Sequence, residues 1–374
     1  MKLFRQIIKK MLRPILLIIR TIDFISINKN PVSDRTIAFT FEISKWKQEY
    51  VKEFLREYDV RFVPSSVNNL LIKKCLLKQE KKIFVFWGVN ENPKITELAS
   101  KYDIPVLRLE DGFVRSTGLG SMHTPPYSLC VDKTGIYFDS SKASDLEVLL
   151  NTYNFSENHD LIKRANRAMN MLKKLKISKY NHVSEKNIED IFGIKTRRRV
   201  LVIGQVEDDA SIRKGCNKPI TNNDIVRLAK SENPKSEIIY KPHPDVLMGR
   251  RPMQSNPAEV EDIARVITEP LSLDNAFETI DHVYTITSLA GFEALIRGIK
   301  VTTIGAPFYS GWGVTDDRQQ TSRRRRNLTV EEIFAAAYIL YPKYIDPATK
   351  EEITLEETIR KLKDKKSLAT NDIS

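Results

Sequence analysis

The chain has 374 residues, 41% of them hydrophobic, which is enough for two domains that each bury a core. Its three cysteines lie far apart and form no C-x-x-C pair, so a disulfide framework and a zinc site are both disfavoured and a reducing cytoplasm is expected. A formal net charge of +12 predicts an anionic partner. Nucleic acid is disfavoured because no motif interleaves basic with aromatic residues.

The first thirty residues mix cations with apolar side chains. This pattern predicts a basic amphipathic segment, residues 1–30, that lies peripherally on the inner face of the cytoplasmic membrane. Its longest uncharged run, Pro14 to Ile19, is far shorter than the roughly 20 residues that span a bilayer. The alternatives are a helix docked on the fold and, less favoured, a signal peptide. A second basic run, Arg323 to Arg326, either adds to this membrane-binding charge or forms a solvated loop.

Strands and helices alternate along the rest of the chain. The first series predicts strands at 36–42, 60–63, 82–87 and 106–109, helices at 45–58 and 95–102, and a hairpin over 128–138. A helical bridge is expected over 145–191. The second series predicts strands at 199–204, 238–240, 282–287 and 301–304, and helices at 223–230, 258–266 and 291–297.

This alternation is typical of an α/β protein with parallel sheets. We expect two Rossmann-type domains that face a central cleft, with ligands at the carboxyl ends of the strands. The expected boundaries are 31–190 for an N-terminal domain with its helical connector, and 191–374 for a C-terminal domain with the terminal helices.

A polar stretch beginning at Glu110 directly follows the predicted strand at 106–109. One interpretation is that Glu110 or Asp111 is a general acid or base at a strand end. The other is that Asp111 and Gly112 form a turn while Arg115 neutralises Glu110. The residues alone leave both interpretations open.

Three consecutive carboxylates, Glu207 to Asp209, follow the first strand of the second series. Because they repel one another, at least one should bind a proton more tightly unless a cation such as Arg213 or Lys214 approaches. A metal site is disfavoured because neighbouring side chains on an extended segment diverge. Helix capping by Asp209 or Ser211 is the alternative.

His243 lies between two prolines in the stretch Lys241-Pro-His-Pro-Asp, at the end of an apolar strand. The prolines fix the backbone on both sides and hold the imidazole in one direction, which favours a ligand contact. Farther along, Thr287, Ser288 and Gly291 begin a helix after a strand and are expected to donate hydrogen bonds to a phosphate. Glu293, one turn later, either accepts a hydrogen bond from a ribose or caps the helix.

The loop 307–313 holds aromatic residues between glycines. This composition suits ring stacking on a base or sugar. Packing of Phe308 and Trp312 in the core is an equally good interpretation.

Together these motifs resemble the retaining β-Kdo transferases of bacterial capsule assembly, which add 3-deoxy-D-manno-octulosonic acid (Kdo) from CMP-Kdo. The similarity covers residues 84–317. The matching stretches are E-D-G-F-x-R-S from Glu110, Q-x-x-x-D-A-S from Gln205, K-P-H-P-D from Lys241, S-L-x-G-F-E-A-L from Ser288, and P-F-Y-x-G-W-G-x-T from Pro307.

The resemblance implies a GT-B-like transferase that binds CMP-Kdo in the C-terminal domain, 191–374, and the acceptor over the N-terminal domain, 31–190. It implies that the enzyme needs no metal or other cofactor and forms an Asp glycosyl-enzyme intermediate. It implies that Asp209 is the nucleophile and that Glu110 deprotonates the acceptor hydroxyl. The CMP phosphate would be held by His243, Thr287 and Ser288 and neutralised by Lys241. Further donor contacts are implied for Gln205, Ser211, Gly291 and Glu293. Substrate contact and charge compensation near the Kdo carboxylate are assigned to Arg115, Arg213 and Asp111.

The implied partners are a CMP-sugar donor, a lipid-linked saccharide acceptor and other capsule-assembly proteins. Family enzymes commonly carry two catalytic modules, whereas this sequence has one set of motifs, so one linkage type is expected. Two alternatives remain open at this point. One is a transferase for another CMP-ulosonate, such as a sialic acid, and the other is a non-catalytic glycolipid-binding module of an assembly complex.

Overall fold

The computed structural model describes residues 24, 34–64, 69–89, 91–118, 122–179 and 187–371. The predicted membrane segment at 1–30 therefore lies outside the described residues, apart from Phe24, whose buried ring packs near that of Phe39. No helix within the described ranges is both long and apolar enough to cross a membrane.

Strands and helices alternate as expected through the first half of the chain. In order, the elements are β1 (Ile37–Phe41), α1 (Gln48–Phe54), β2 (Asp59–Val63), α2 (Asn69–Lys78), β3 (Lys82–Trp87), α3 (Pro93–Lys101), β4 (Val106–Asp111), β5 (Ser128–Asp132), α4 (Asp145–Thr152), α5 (His159–Lys174) and α6 (Ile188–Phe192). Short 3₁₀ turns precede α1 and α5, at Lys45–Lys47 and Phe155–Glu157.

The second half continues the alternation. Its elements are β6 (Arg199–Ile203), α7 (Ala210–Gly215), α8 (Asn222–Glu232), β7 (Glu237–Lys241), α9 (Pro244–Leu247), β8 (Arg265–Val266), α10 (Leu273–Phe277), β9 (His282–Thr285), α11 (Leu289–Ile296), β10 (Lys300–Thr303), β11 (Asp316–Asp317), α12 (Val330–Phe334), β12 (Pro342–Tyr344) and α13 (Leu355–Asn371). A 3₁₀ turn at Pro257–Val260 and a π-helical turn at Ala335–Leu340 complete the series.

The strands form two sheets of six. Their orders are β12-β5-β4-β3-β1-β2 and β11-β10-β9-β6-β7-β8. Strands β1 to β4 pair in parallel, and so do all pairs of the second sheet. All five residues of β1 and all five of β6 are buried, as expected for parallel strands covered on both faces. The predicted α/β class with parallel sheets is confirmed.

By packing, the chain divides into two compact units: residues 1–110 with 131–134, and residues 111–130 with 135–374. This division differs from the domain boundary expected at residue 190. Helix α5, which belonged to the predicted connector, contacts α12 and α13 within the second unit. Its buried face of Leu161, Ala165, Ala168, Met169 and Leu172 explains this placement, because an amphipathic helix packs where its apolar stripe finds a core.

Two local predictions were wrong. Residues 128–138 do not form a hairpin: β5 pairs antiparallel with β12 instead, and no strand follows its turn. The predicted helix at 258–266 is a 3₁₀ turn followed by the short strand β8. Both predictions considered only neighbouring residues. In the structure each segment pairs with a strand outside the predicted element, β5 with β12 and β8 with β7.

The aromatic loop 307–313 is core. Phe308, Tyr309 and Trp312 are all buried, and the Trp312 indole N–H donates to the Phe308 carbonyl at 2.8 Å. Stacking of these rings on a ligand is therefore excluded for Phe308 and Trp312, and the core-packing interpretation is confirmed. The loop turns at Gly311 and Gly313, which have φ angles of +77° and +87°, a conformation that strongly favours glycine.

The basic run 323–326 is not a solvated loop, because its buried member Arg324 holds the aromatic loop in place. The buried Arg324 guanidinium donates to the carbonyls of Pro307 and Ser310, and its Nε donates to Glu147 at 3.1 Å. Arg323 bonds the other oxygen of the same carboxylate at 2.6 Å. Arg325 is the exposed member of the run.

Replacing Arg324 should destabilise the fold. Arg324→Ala removes the guanidinium that donates to the Ser310 carbonyl, one of the hydrogen bonds to the Pro307 carbonyl, and half of the pairing of Glu147. We therefore expect the free energy of unfolding to fall by about 3 kcal/mol. The matched control Arg325→Ala removes an exposed cation and should change it by less than about 0.5 kcal/mol. Chemical denaturation measures both variants, and equal effects would contradict a buried clamp.

Candidate active site

Three of the predicted motifs follow adjacent strands of the second sheet. Strand β6 lies between β7 and β9, and all three run parallel. The register aligns their last residues, since Ile203 is opposite both Lys241 and Thr285. The loops that begin with Gly204, Pro242 and Ile286 consequently start at the same level of one sheet edge, as ligand-binding loops do in α/β proteins.

Asp209 begins helix α7. Its Oδ1 accepts a hydrogen bond from the main-chain N–H of Ser211 at 2.8 Å, and its carbonyl accepts from Arg213 at 3.1 Å. Helix capping by Asp209 is thus confirmed, while the Ser211 side chain has no capping role. Among the described residues, no hydrogen bond engages Oδ2 of Asp209. Oδ2 is therefore the oxygen of this carboxylate that is available to a substrate.

The neighbouring carboxylates have separate partners, which is how the acidic run is accommodated. Glu207 accepts from Asn222 N–H at 2.6 Å and from both the N–H and the hydroxyl of Ser255. Asp208 forms an ion pair with Arg251 at 2.6 Å. No group of three or more potential metal ligands occurs within the described residues.

His243 caps the short helix α9 through its ring. Its Nδ1 accepts from the Asp245 main-chain N–H at 3.1 Å, so the neutral imidazole carries its hydrogen on Nε2. Burial lowers the pKa of His243; the carboxylates of Asp245 and Asp209 act against this, and the cations Lys241 and Arg251 act with it. At neutral pH His243 is therefore a neutral hydrogen-bond donor.

Lys241 is the last residue of β7 and is partly buried. Burial lowers the pKa of its ammonium group to about 8. Among the described residues, no carboxylate forms an ion pair with it. A desolvated cation of this kind gains stability when an anion binds beside it, because the opposite charge replaces the lost hydration.

Gln205 joins the ends of β6 and β9. Its amide accepts from the Thr287 N–H at 2.8 Å and donates to the Thr287 hydroxyl at 3.1 Å. Asn222 holds the Gln205 main chain through two further bonds of 2.9 Å. Both Gln205 and Thr287 are buried, so these bonds fix the position of the Thr287–Ser288 turn.

Ser288 caps helix α11, with its hydroxyl accepting from the Ala290 N–H at 3.2 Å. Gly291 makes room for Tyr309, because a Cβ at this position would lie 2.2 Å from the tyrosine hydroxyl. That hydroxyl donates to the Ser288 carbonyl at 2.5 Å. Gly291 therefore permits close packing beneath the turn.

Glu293 is buried, and its carboxylate accepts from the Lys179 main-chain N–H at 3.0 Å. Burial raises its pKa, an effect that the charge of Arg297 opposes. Its side chain does not cap α11, the helix to which it belongs. A ribose contact for Glu293 remains only an expectation.

A buried ion pair joins the last residue of β4 to the stretch that follows it. Arg115 is wholly buried, with its Nε 2.7 Å from an Asp111 carboxylate oxygen and its Nη1 donating to Ser116 and to the Thr124 carbonyl. Arg115 thus forms an ion pair with Asp111, while neutralisation of Glu110 by Arg115 stays a prediction. Glu110 lies in β4, in the first compact unit, and its role stays a prediction.

Arg213 is exposed and donates to the Asp208 carbonyl, while Lys214 lies 4.0 Å from Asp139. Sequence reasoning missed Arg251, which pairs with Asp208 and contributes to the electrostatic environment of His243. The available signal was its position in a basic pair shortly after the His-Pro motif.

The sequence of residues 83–344 matches the family described as capsule polysaccharide biosynthesis protein. The chain is 46% identical over 328 residues to the lipopolysaccharide-processing protein LpsZ of Rhizobium meliloti, a match that covers 88% of this chain and 74% of LpsZ. It is 38% identical over 333 residues to the capsule polysaccharide modification protein LipA of Neisseria meningitidis, covering 88% of this chain and 46% of LipA.

Two solved structures from Thermosulfurimonas dismutans are similar throughout their lengths. The KpsC β-Kdo 2,4 transferase is 34% identical with a TM-score of 0.75, and the KpsC β-Kdo 2,7 transferase is 31% identical with a TM-score of 0.69. Each match covers 88% of this chain and 99% of the other. The chain therefore belongs to the capsule polysaccharide biosynthesis protein family, as its motifs predicted.

Proposed function

We propose that this protein is a retaining β-Kdo transferase that moves Kdo from CMP-Kdo to a lipid-linked saccharide acceptor. The observation that carries the proposal is the alignment of the Asp209, His243 and Ser288 loops at one edge of the second sheet, in a chain similar to two β-Kdo transferases. The proposal also includes three features: two domains that face each other across a cleft, an acceptor role for the first unit, and attachment to the inner face of the membrane.

The donor phosphate would bind between Lys241 and His243. Lys241 supplies a partly buried positive charge, and His243 supplies a neutral N–H from Nε2. Charge-assisted hydrogen bonds to phosphate are among the stronger ones in proteins. As the bond between the anomeric carbon and the phosphate oxygen breaks, negative charge grows on CMP, and these two groups stabilise it where it forms.

Asp209 would attack the anomeric carbon through Oδ2. Its capping bond to Ser211 fixes the carboxylate, so little rotational freedom is lost on reaching the attack geometry. The acceptor hydroxyl, deprotonated by Glu110, would then displace Asp209 from the same carbon. Two inversions give net retention, by the logic that applies to retaining glycosidases.

Substitution of Asp209 tests the mechanism. Asp209→Ala should lower kcat for Kdo transfer by about 10³-fold or more while CMP still binds, because the nucleophile is lost and the phosphate contacts are kept. Asp208→Asn is the matched control, since Asp208 is paired with Arg251, and it should retain activity within about tenfold. Mass spectrometry follows the extended product and, when acceptor is withheld, a Kdo adduct on the peptide that contains Asp209.

Equal loss of transfer in the Asp208 and Asp209 variants would remove Asp209 as the specific nucleophile. Turnover of CMP-sialic acid in place of CMP-Kdo would keep the fold and change the donor. If no CMP-sugar is consumed, the protein is the non-catalytic glycolipid-binding module.

Binding of CMP should be linked to proton uptake at Lys241. At pH 8 about half of the Lys241 population is neutral in the free protein, because its pKa is about 8. The bound phosphate raises that pKa, so we expect an uptake of up to about half a proton per CMP. Below about pH 7 the uptake at Lys241 should vanish, since the group is already charged.

Titration calorimetry in two buffers of different ionisation enthalpy measures this uptake. Lys241→Met should abolish it, whereas Lys218→Met, which removes an exposed cation elsewhere, should leave it unchanged. A binding heat for the unaltered chain that does not depend on the buffer at pH 8 would contradict a phosphate contact to Lys241.

A further inference from the structure

A cavity of about 420 Å³ opens in the second compact unit, beside the end of α7. This volume lies within the range of about 300–1,000 Å³ that small-molecule sites occupy. Its lining is mainly polar and contains no aromatic ring. Hydroxyl, amide and cationic groups from three stretches form the wall, at 140–141, 213–217 and 319–323.

The cavity carries excess positive charge. Arg213 has no carboxylate partner among the described residues and donates instead to a main-chain carbonyl. Arg323 shares the single carboxylate of Glu147 with Arg324, which leaves that trio positive by one charge. Lys214 is 4.0 Å from Asp139, at the limit of an ion pair. An anion entering the cavity would therefore meet cations that are incompletely neutralised.

Part of the wall is already ordered. Both polar atoms of the Gln319 side-chain amide are hydrogen-bonded. The nitrogen donates to the Gly215 carbonyl at 3.0 Å, and the oxygen accepts from the Asn217 N–H at 2.8 Å. Asp139 accepts from the N–H and the hydroxyl of Ser141. Less conformational entropy is lost when a ligand binds to such a wall than to a mobile one.

The chemistry of the wall distinguishes between kinds of anion. A nucleobase would lack a stacking ring, whereas a hydroxylated ligand would find several hydroxyl and amide partners. Burial raises the pKa of Cys216 to about 11, so its thiol is neutral and does not repel an anion. The wall thus fits a ligand that combines one negative charge with many hydroxyl groups.

The cavity is close to Asp209 along α7. Arg213 lies one helical turn after Asp209, and the six residues of α7 extend about 9 Å. A ligand in the cavity would therefore be near a sugar that reacts at Asp209.

We propose that this cavity is a subsite for a carboxylate-bearing sugar residue, with Arg213 and Lys214 binding its carboxylate and Ser141, Thr321 and Ser322 facing its hydroxyls. The proposal rests on the proposed function for its substrate class. The acidic sugar belongs either to the donor or to the acceptor glycan, and both present the same chemistry to this wall.

Equilibrium binding of free Kdo to the full chain tests the site. Kdo should bind about tenfold more tightly than its neutral carboxamide at low salt, and Lys214→Glu should weaken Kdo binding by about tenfold or more. Lys218→Glu makes the same charge change at an exposed position outside the lining and should alter binding by less than about twofold. Thr321→Trp should block both ligands by filling the cavity without a change of charge.

Steady-state kinetics then identifies the source of the sugar. If Lys214→Glu raises KM for the acceptor alone, the cavity holds an acceptor residue; if it raises KM for CMP-Kdo alone, the cavity holds the donor sugar. Normal Kdo binding and normal KM values in both Lys214→Glu and Thr321→Trp would overturn the subsite and leave the proposed function intact. The opposite result is also possible: the chain binds Kdo in a manner that depends on Lys214 but transfers nothing from CMP-Kdo. That result would overturn the proposed function and support the subsite.

Discussion

Everything at the candidate site depends on the register of β6 with its two neighbours. Because Ile203 is level with Lys241 and with Thr285, three loops leave the sheet at one height. Shifting any of these strands by a single residue would also turn its side chains to the opposite face. The buried apolar residues of β6 therefore specify the relative positions of Asp209, His243 and Ser288, although none of them touches a substrate.

Within that frame, the charges fall into two classes. Several acids and cations neutralise one another, as in the ion pairs of Asp208 with Arg251 and of Asp111 with Arg115. Lys241 and Arg213 are left without a described acidic partner. A buried pair contributes mainly to local order, since its desolvation offsets much of its attraction, whereas an incompletely neutralised cation retains its capacity to bind an anion.

The parallel strands and the grouping of their terminal loops were predictable from the sequence, because each strand is a short apolar run that ends in a polar motif. The partner of β5 was not predictable from the sequence, because β12 lies about two hundred residues farther along the chain and leaves no signal near β5. The arginine run was misread for a related reason. Composition suggested a solvated or membrane-binding charge, but Glu147 and two carbonyls of a distant loop accept three hydrogen bonds from Arg324. The aromatic loop was ambiguous because the same residue types, aromatics and glycines, are found in buried loops and in loops that stack on a ligand.

The cap at Asp209 uses only one carboxylate oxygen. In an ester formed at Oδ2, Oδ1 becomes a carbonyl oxygen, which still accepts a hydrogen bond from an amide. The first turn of α7 would then have the same acceptor whether the side chain is ionised or esterified. A covalent enzyme of this kind would differ from the free enzyme in charge but not in local backbone structure, so each turnover would begin and end without refolding the helix that holds the reacting group.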